Sequence, residues 1–143
     1  MRPVFELPPH SALSTAVSDD WNAIPLRVPA GWNVIHNALD ARRLPDGRVE
    51  VNDSEDLYWA RTAPRPWLTA EQLAEDREIG SLRAREINID VGWYAGAGFR
   101  VVVLDPGWDD ERASRTTPHL DELVATLEAW MGRITGYDEF PEP

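Results

Sequence analysis

The chain has 143 residues, a net charge of −11, 43% apolar and 27% charged residues, the size and composition of one globular domain able to fold on its own. It has no cysteine and all 14 basic residues are arginines, which excludes disulfides, Cys-ligated zinc, iron–sulfur clusters, thiol nucleophiles and lysine Schiff bases. The acidic balance repels phosphate backbones and steers basic proteins inward, so nucleic-acid binding is not expected.

Residues 1–30 carry Pro3, Pro8, Pro9, Pro25 and Pro29, a spacing that interrupts any long helix or central strand and predicts a wrap over the surface. A single basic residue and no long apolar run before Ser18 speak against a signal peptide or membrane anchor. A cytoplasmic location without a membrane partner is the expectation.

Trp32 to Arg42 reads as a strand closed by the Pro45-Asp46-Gly47 turn, with a short return strand from Arg48 to Val51. The acidic loop Asp53 to Asp56 leads into a third run, Leu57 to Thr62, which Pro64 and Pro66 end. Thr69-Ala70-Glu71-Gln72 is a capping box flanked by Leu68 and Leu73, and predicts a short surface helix over Ala70 to Glu78 that stops at Ile79-Gly80.

Ile87, Ile89, Val91 and Trp93 alternate with Asn88, Asp90 and Gly92, the period-two signature of a strand with one buried and one wet face. Ala95 to Gly98 can turn the chain, and the apolar run Phe99 to Leu104 returns as a strand buried on both faces. Asp105-Pro106-Gly107 ends it, and an acidic loop is expected up to Thr117-Pro118, read as the N-cap and first residue of a helix. Leu120, Leu123, Val124, Leu127, Trp130, Met131 and Ile134 form one helical stripe, with Gly136 as the expected C′ residue. The fold class is therefore α+β: an antiparallel sheet of about four to five strands, an amphipathic C-terminal helix packed on it, and one short surface helix. Residues 1–143 form a single domain on this reading, with an acidic tail from 136.

No nucleophile elbow, zincin helix or phosphate loop is present, and Gly96-Ala97-Gly98 joins two strands rather than opening a helix. No catalytic, metal-binding or cofactor residue is assigned. His36 in mid-strand reads as a satisfied, half-buried histidine, and the His119–Glu122 pair as helix capping rather than half of a metal site. Three acidic groups remain: Asp53, Glu55 and Asp56; Glu71, Glu75, Asp76 and Glu78; and Asp109, Asp110 and Glu111. If the first and last lie at one end of the sheet they make an anionic patch beside Trp108, suited to a basic protein. Otherwise they are solvated faces. Trp32, Trp59, Trp93 and Trp130 fall on core-facing positions, whereas Trp21, Trp67 and Trp108 lie in loops where aromatics mark contact surfaces or anchor the loop.

Gly31-Trp32-Asn33-Val34 followed by Ile89-Asp90-Val91-Gly92-Trp93-Tyr94, a hairpin and a terminal amphipathic helix resembles small acidic bacterial immunity-type proteins of toxin–immunity systems. The resemblance spans residues 24–134 and implies an inhibitor that binds its cognate toxin, with no catalytic residue to carry over. The leading expectation is thus a protein-binding module, an immunity-type inhibitor of a basic toxin, acting through Asp53, Glu55, Asp56, Trp108, Asp109, Asp110 and Glu111. One alternative is a small enzyme or ligand-binding domain with a sheet pocket formed by His36, Asp90 and Tyr94. Another is a structural component of a phage or secretion assembly.

Overall fold

Short stretches of backbone pairing build the proline-punctuated N-terminus into the fold in the computed structural model, which describes residues 2–63 and 67–142. Val4–Phe5 (β1), Ala12–Ala16 (α1) and Asn22–Ala23 (β2) occupy the gaps between prolines. Trp32–Asn37 (β3), Asp40–Arg43 (β4), Val49–Val51 (β5) and Tyr58–Thr62 (β6) follow. Then come Ala70–Ile79 (α2), a 3-10 turn at Leu82–Ala84, Asn88–Tyr94 (β7), Gly98–Leu104 (β8), Glu111–Thr117 (β9) and Leu120–Tyr137 (α3). The strands make two antiparallel sheets, one ordered β1-β5-β4-β2 and one ordered β3-β6-β7-β8-β9. The chain is α+β, as expected, with α3 against the five-stranded sheet and α2 as the short surface helix.

The four-stranded sheet was not expected, and it explains what holds the N-terminal segment. β1 pairs with β5 and β2 with β4. The Arg43 guanidinium donates to the carbonyls of Ser14 and Val17, which ties α1 to β4.

Trp32 to Arg42 is two strands in two sheets rather than one. Asn37 ends β3 by accepting the Leu39 amide on its side chain at 3.1 Å, an Asx-type turn, and Ala38 donates to the Leu57 carbonyl at 2.7 Å. The bend puts Leu39, fully buried, into the core; alternation alone does not reveal where a strand changes sheets. The segment after Gly107 is likewise not a loop throughout, because Glu111–Thr117 forms β9 on β8. Its charged and hydroxyl side chains suit an edge strand and conceal it from a search for apolar alternation.

Helix α3 starts two residues later than the Thr117-Pro118 reading. Thr117 closes β9, accepts the His119 amide and donates to Glu122 at 2.5 Å, while His119 takes the cap position without a side-chain bond. At the other end Gly136 stays inside the helix, and Asp138 takes the left-handed conformation at φ 56°. The remaining signals agree with the structure. Thr69 and Gln72 form the capping box and Gly80, at φ 77°, ends α2; Gly47 (φ 88°) and Gly96 (φ 82°) turn the two hairpins. The expected stop at Pro64 and Pro66 lies outside the described residues.

The core is shared by both sheets and α3. Ile87, Ile89 and Val91 of the β7 segment, Phe99, Val101 and Val103 of β8, and all seven residues of the helix stripe are buried in one cluster. Each large aliphatic residue there contributes about 1.5–3 kcal/mol of transfer free energy. The Trp32 indole donates to the Met131 carbonyl at 3.0 Å, locking β3 to α3, and Phe5 stacks on Phe99 beside Trp93, carrying the second sheet onto the first. The tail is held as well: Asp138 accepts from Ser81, Glu139 pairs with Arg133 at 3.1 Å, and Arg112 lies over the Phe140 ring.

Candidate functional site

Alternation turns a second set of side chains away from α3. Register sets Trp59 opposite Asp90 and Arg61 opposite Asn88, with Val102 beyond Asp90 and Leu104 beyond Asn88. A bulge between Val34 and His36 puts His36 opposite Trp59 at the end of the same row. Val102 and Leu104 are buried but lie outside the core cluster. Leu104 lines a groove on this outer face.

The groove consists of two adjoining cavities that share Trp59 and Asp90. One, about 410 Å³, is lined by Ile35, His36, Asp56, Tyr58, Trp59 and Asp90. The other, about 350 Å³, is lined by Trp59, Glu86, Asn88, Asp90, Leu104, Pro106, Gly107 and Trp108. No arginine lines either of them.

Its walls are fixed by hydrogen bonds. His36 Nε2 lies 2.8 Å from the Asp56 carbonyl; the Trp59 indole donates to Asn88 Oδ1 at 2.7 Å, and Asn88 donates to the Pro106 carbonyl at 2.7 Å. Gly92 lets the Ser54–Asp56 loop settle onto β7, since a Cβ there would meet the Glu55 carbonyl oxygen at 2.2 Å. The Trp93 amide donates to Ser54 and the Leu57 amide to Val91, closing that contact.

Electrostatically the groove is anionic. Burial pushes the Asp90 carboxyl up from 3.8 to about 6; the Asp56 carboxylate adds to the rise and His36 opposes it. A carboxyl that changes charge near neutrality between a histidine and a second carboxylate has the properties of a binding or proton-handling group. The Tyr58 hydroxyl, fully buried and also raised by burial, has no hydrogen-bond partner among the described residues.

No protein-family model, curated protein or solved structure matches this chain. The site therefore rests on its own chemistry.

Of the pocket residues expected from sequence, His36 and Asp90 come together and Tyr94 lies outside the lining. His36 is exposed rather than half-buried. Of the expected partner-binding residues, Asp56 lines one cavity and Trp108 the other. The two acidic loops do not converge. Ser54 and Glu55 sit over the Gly92–Trp93 end of β7, and Pro106 beside Asn88 at the opposite end, separated by about 13 Å of strand. The second loop is also partly neutralised, since Glu111 pairs with Arg100 at 3.2 Å and Asp110 with Arg112 at 3.1 Å. In the helix group, Asp76 is buried against Arg83 at 2.8 Å rather than solvated.

Trp59 is the central residue that sequence reading assigned to the core. It is 36% exposed and lies on the outer face. Its signal is in the alternation: Tyr58 and Ala60 are the partners of Val91 and Ile89, and Thr62 is buried at the next alternate position, which leaves Trp59 and Arg61 for the other side. The other core assignments hold for Trp32 and Trp130, which are buried, and Trp93 packs against the cluster. Trp21, Trp67 and Trp108 are exposed, and Arg2 and Arg42 lie over the Trp21 ring.

Proposed function

We propose that this chain is a protein-binding module that engages a basic partner through the outer face of the five-stranded sheet, with immunity-type inhibition of a basic toxin as the specific form of that activity. The supporting observation is the groove itself, where Trp59 and Trp108 stand with Asp56 and Asp90 and no arginine is in the lining, the Arg61 guanidinium over the Trp59 ring being paired with Glu86. Tryptophans in a groove with a polar rim are the usual anchors of protein interfaces, and a net charge of −11 steers and orients a cationic partner. The contact surface on this reading is the sheet face, not the two acidic loops together.

Affinity capture from native cells at low and high salt, followed by calorimetry with the recovered basic protein, tests the proposal. Binding should weaken as salt rises, and Trp108→Ala should cost about 2 kcal/mol or more. Absence of any salt-sensitive partner, or a Trp108→Ala variant binding as well as the parent, would remove the proposal.

A second reading, a small-ligand or enzyme site, draws support from His36 and Asp90 sharing one cavity, where the acid titrates near 6. A small polar or cationic ligand that shifted the Trp59 environment without any protein partner would favour it.

A further inference from the structure

The two edges of the five-stranded sheet are not alike. β9, at one end, carries Glu111, Arg112 and Arg115, the charges that ordinarily guard an edge against unwanted pairing. β3, at the other end, is Trp32-Asn33-Val34-Ile35-His36-Asn37, without a formal charge, glycine or proline. Every residue of it after Trp32 is exposed, with Val34 at 43% and Ile35 at 41%. Having β6 as its neighbour on one side, β3 presents the outward half of its backbone N–H and C=O groups as a template for another strand. Ile35 and His36 of this same strand form the rim of the 410 Å³ cavity.

We infer that the partner's contact segment is an extended, basic stretch that adds to β3 as a sixth strand and sends alternate side chains over the Ile35–His36 rim toward Asp56. The inference rests on the protein-binding reading above and specifies its mode. Backbone pairing supplies affinity in such additions, and pockets for every second side chain supply selectivity. Charge complementarity decides the occupant. The cavity offers Asp56 and Asp90 and no arginine, and the guanidinium in the adjoining row, Arg61, is already paired with Glu86 at 3.5 Å. A second copy of the chain would instead bring two such cavities, each on a chain of charge −11, edge to edge.

Geometry also ranks the carboxylates. Asp56 shares the cavity with Ile35 and His36 of β3, and its backbone carbonyl is tied to His36, whereas Asp90 is on β7, two strands inward. An added strand would lie about 14 Å from β7 at roughly 4.8 Å per strand, too far for one side chain to span. Asp56, not Asp90, should therefore take the incoming cation.

The probe is a terminally blocked peptide of alternating arginine and valine, compared with its glutamate–valine counterpart, added to the full isotope-labelled chain. Amide hydrogen exchange at β3 should slow by about tenfold or more with the arginine peptide and not with the glutamate one. Asp56→Asn should weaken binding about tenfold and Asp90→Asn much less. Val34→Lys, at an exposed edge position, should abolish binding while leaving the thermal transition in place.

If the arginine peptide binds but β3 exchange is unchanged and Val34→Lys binds normally, strand addition is overturned and the sheet-face reading stands. If no cationic peptide or basic protein binds at all, both fall. Protection of β3 that rises with protein concentration alone, accompanied by a dimer in sedimentation, would identify a second copy as the occupant and overturn the basic segment.

Discussion

The Trp59 indole N–H donates to Asn88 Oδ1 at 2.7 Å, and that same amide donates to the Pro106 carbonyl at 2.7 Å, so one nearly buried side chain joins β6, β7 and the loop carrying Trp108. Asn88→Ala removes both bonds and leaves the Pro106 carbonyl and the indole N–H to find other partners. The expected cost is about 1–3 kcal/mol of stability, with Trp59 emission shifted to the red as the ring loses its anchor. Urea unfolding monitored by fluorescence measures both. An unchanged midpoint and spectrum would mean that the bridge does not order the groove.

Gly92 is required by contact rather than by backbone conformation. A methyl group there meets the Glu55 carbonyl oxygen at 2.2 Å and its carbon at 3.1 Å, so Gly92→Ala must push the Ser54–Asp56 loop off β7. Overpacking of this kind typically costs about 1–3 kcal/mol. Because Asp56 and the His36 contact belong to that loop, the variant should lose partner binding more than its stability loss predicts. Gly132→Ala, where a Cβ meets nothing within 4 Å, is the matched control and should stabilise α3 by about 0.5–1 kcal/mol.

Trp32 joins sheet to helix through a buried hydrogen bond to the Met131 carbonyl at 3.0 Å. Trp32→Phe keeps an aromatic ring but removes the donor, and the expected loss is about 1–3 kcal/mol from the bond and the space left behind. Since β3 is then held mainly by β6, exchange of β3 amides should accelerate ahead of global unfolding. Uniform acceleration across all strands would instead place β3 within the global unfolding unit.

What was legible in the sequence follows from which forces act locally. The β7–β8 hairpin, the capping box at Thr69 and the α3 stripe were readable because each rests on a period, turn or cap contained in its own segment, whereas the ends of α3 fell at His119 and Asp138 rather than at Thr117 and Gly136. β9 was not, because an edge strand on an apolar neighbour needs few apolar residues of its own; Ala113 and Thr117 are its buried positions. The break at Ala38 was hidden because it serves packing between sheets rather than local preference. The same division governs the site. His36 and Asp90 were legible as a pair, whereas Trp59 was read as core because an aromatic suits either face of a strand; its alternation with Tyr58 and Ala60, which the β6 register sets against Val91 and Ile89, puts it on the outer one. The acidic loops misled for the converse reason: nearness in composition carries no information about which end of a strand each loop joins.

Asp90 gives the fold a pH dependence of definite sign. Its carboxyl titrates at about 6 in the folded chain against 3.8 ordinarily, so between those values the folded state holds a proton that the unfolded state has released. Stability then falls as pH rises through this window: the contribution is complete below 3.8 and lost above about 6. Asp90→Asn fixes the group in a neutral form. The variant should gain on the parent progressively from about pH 4 to 6 and hold a constant advantage above that. His36→Ala removes the influence that opposes the rise, and should move the Asp90 carboxyl resonance to titrate at higher pH still. Urea unfolding across the window and carboxyl-carbon NMR provide the two measurements. A stability difference between Asp90→Asn and parent that stays flat through the window would show that Asp90 titrates as a solvated aspartate and that the groove does not perturb it.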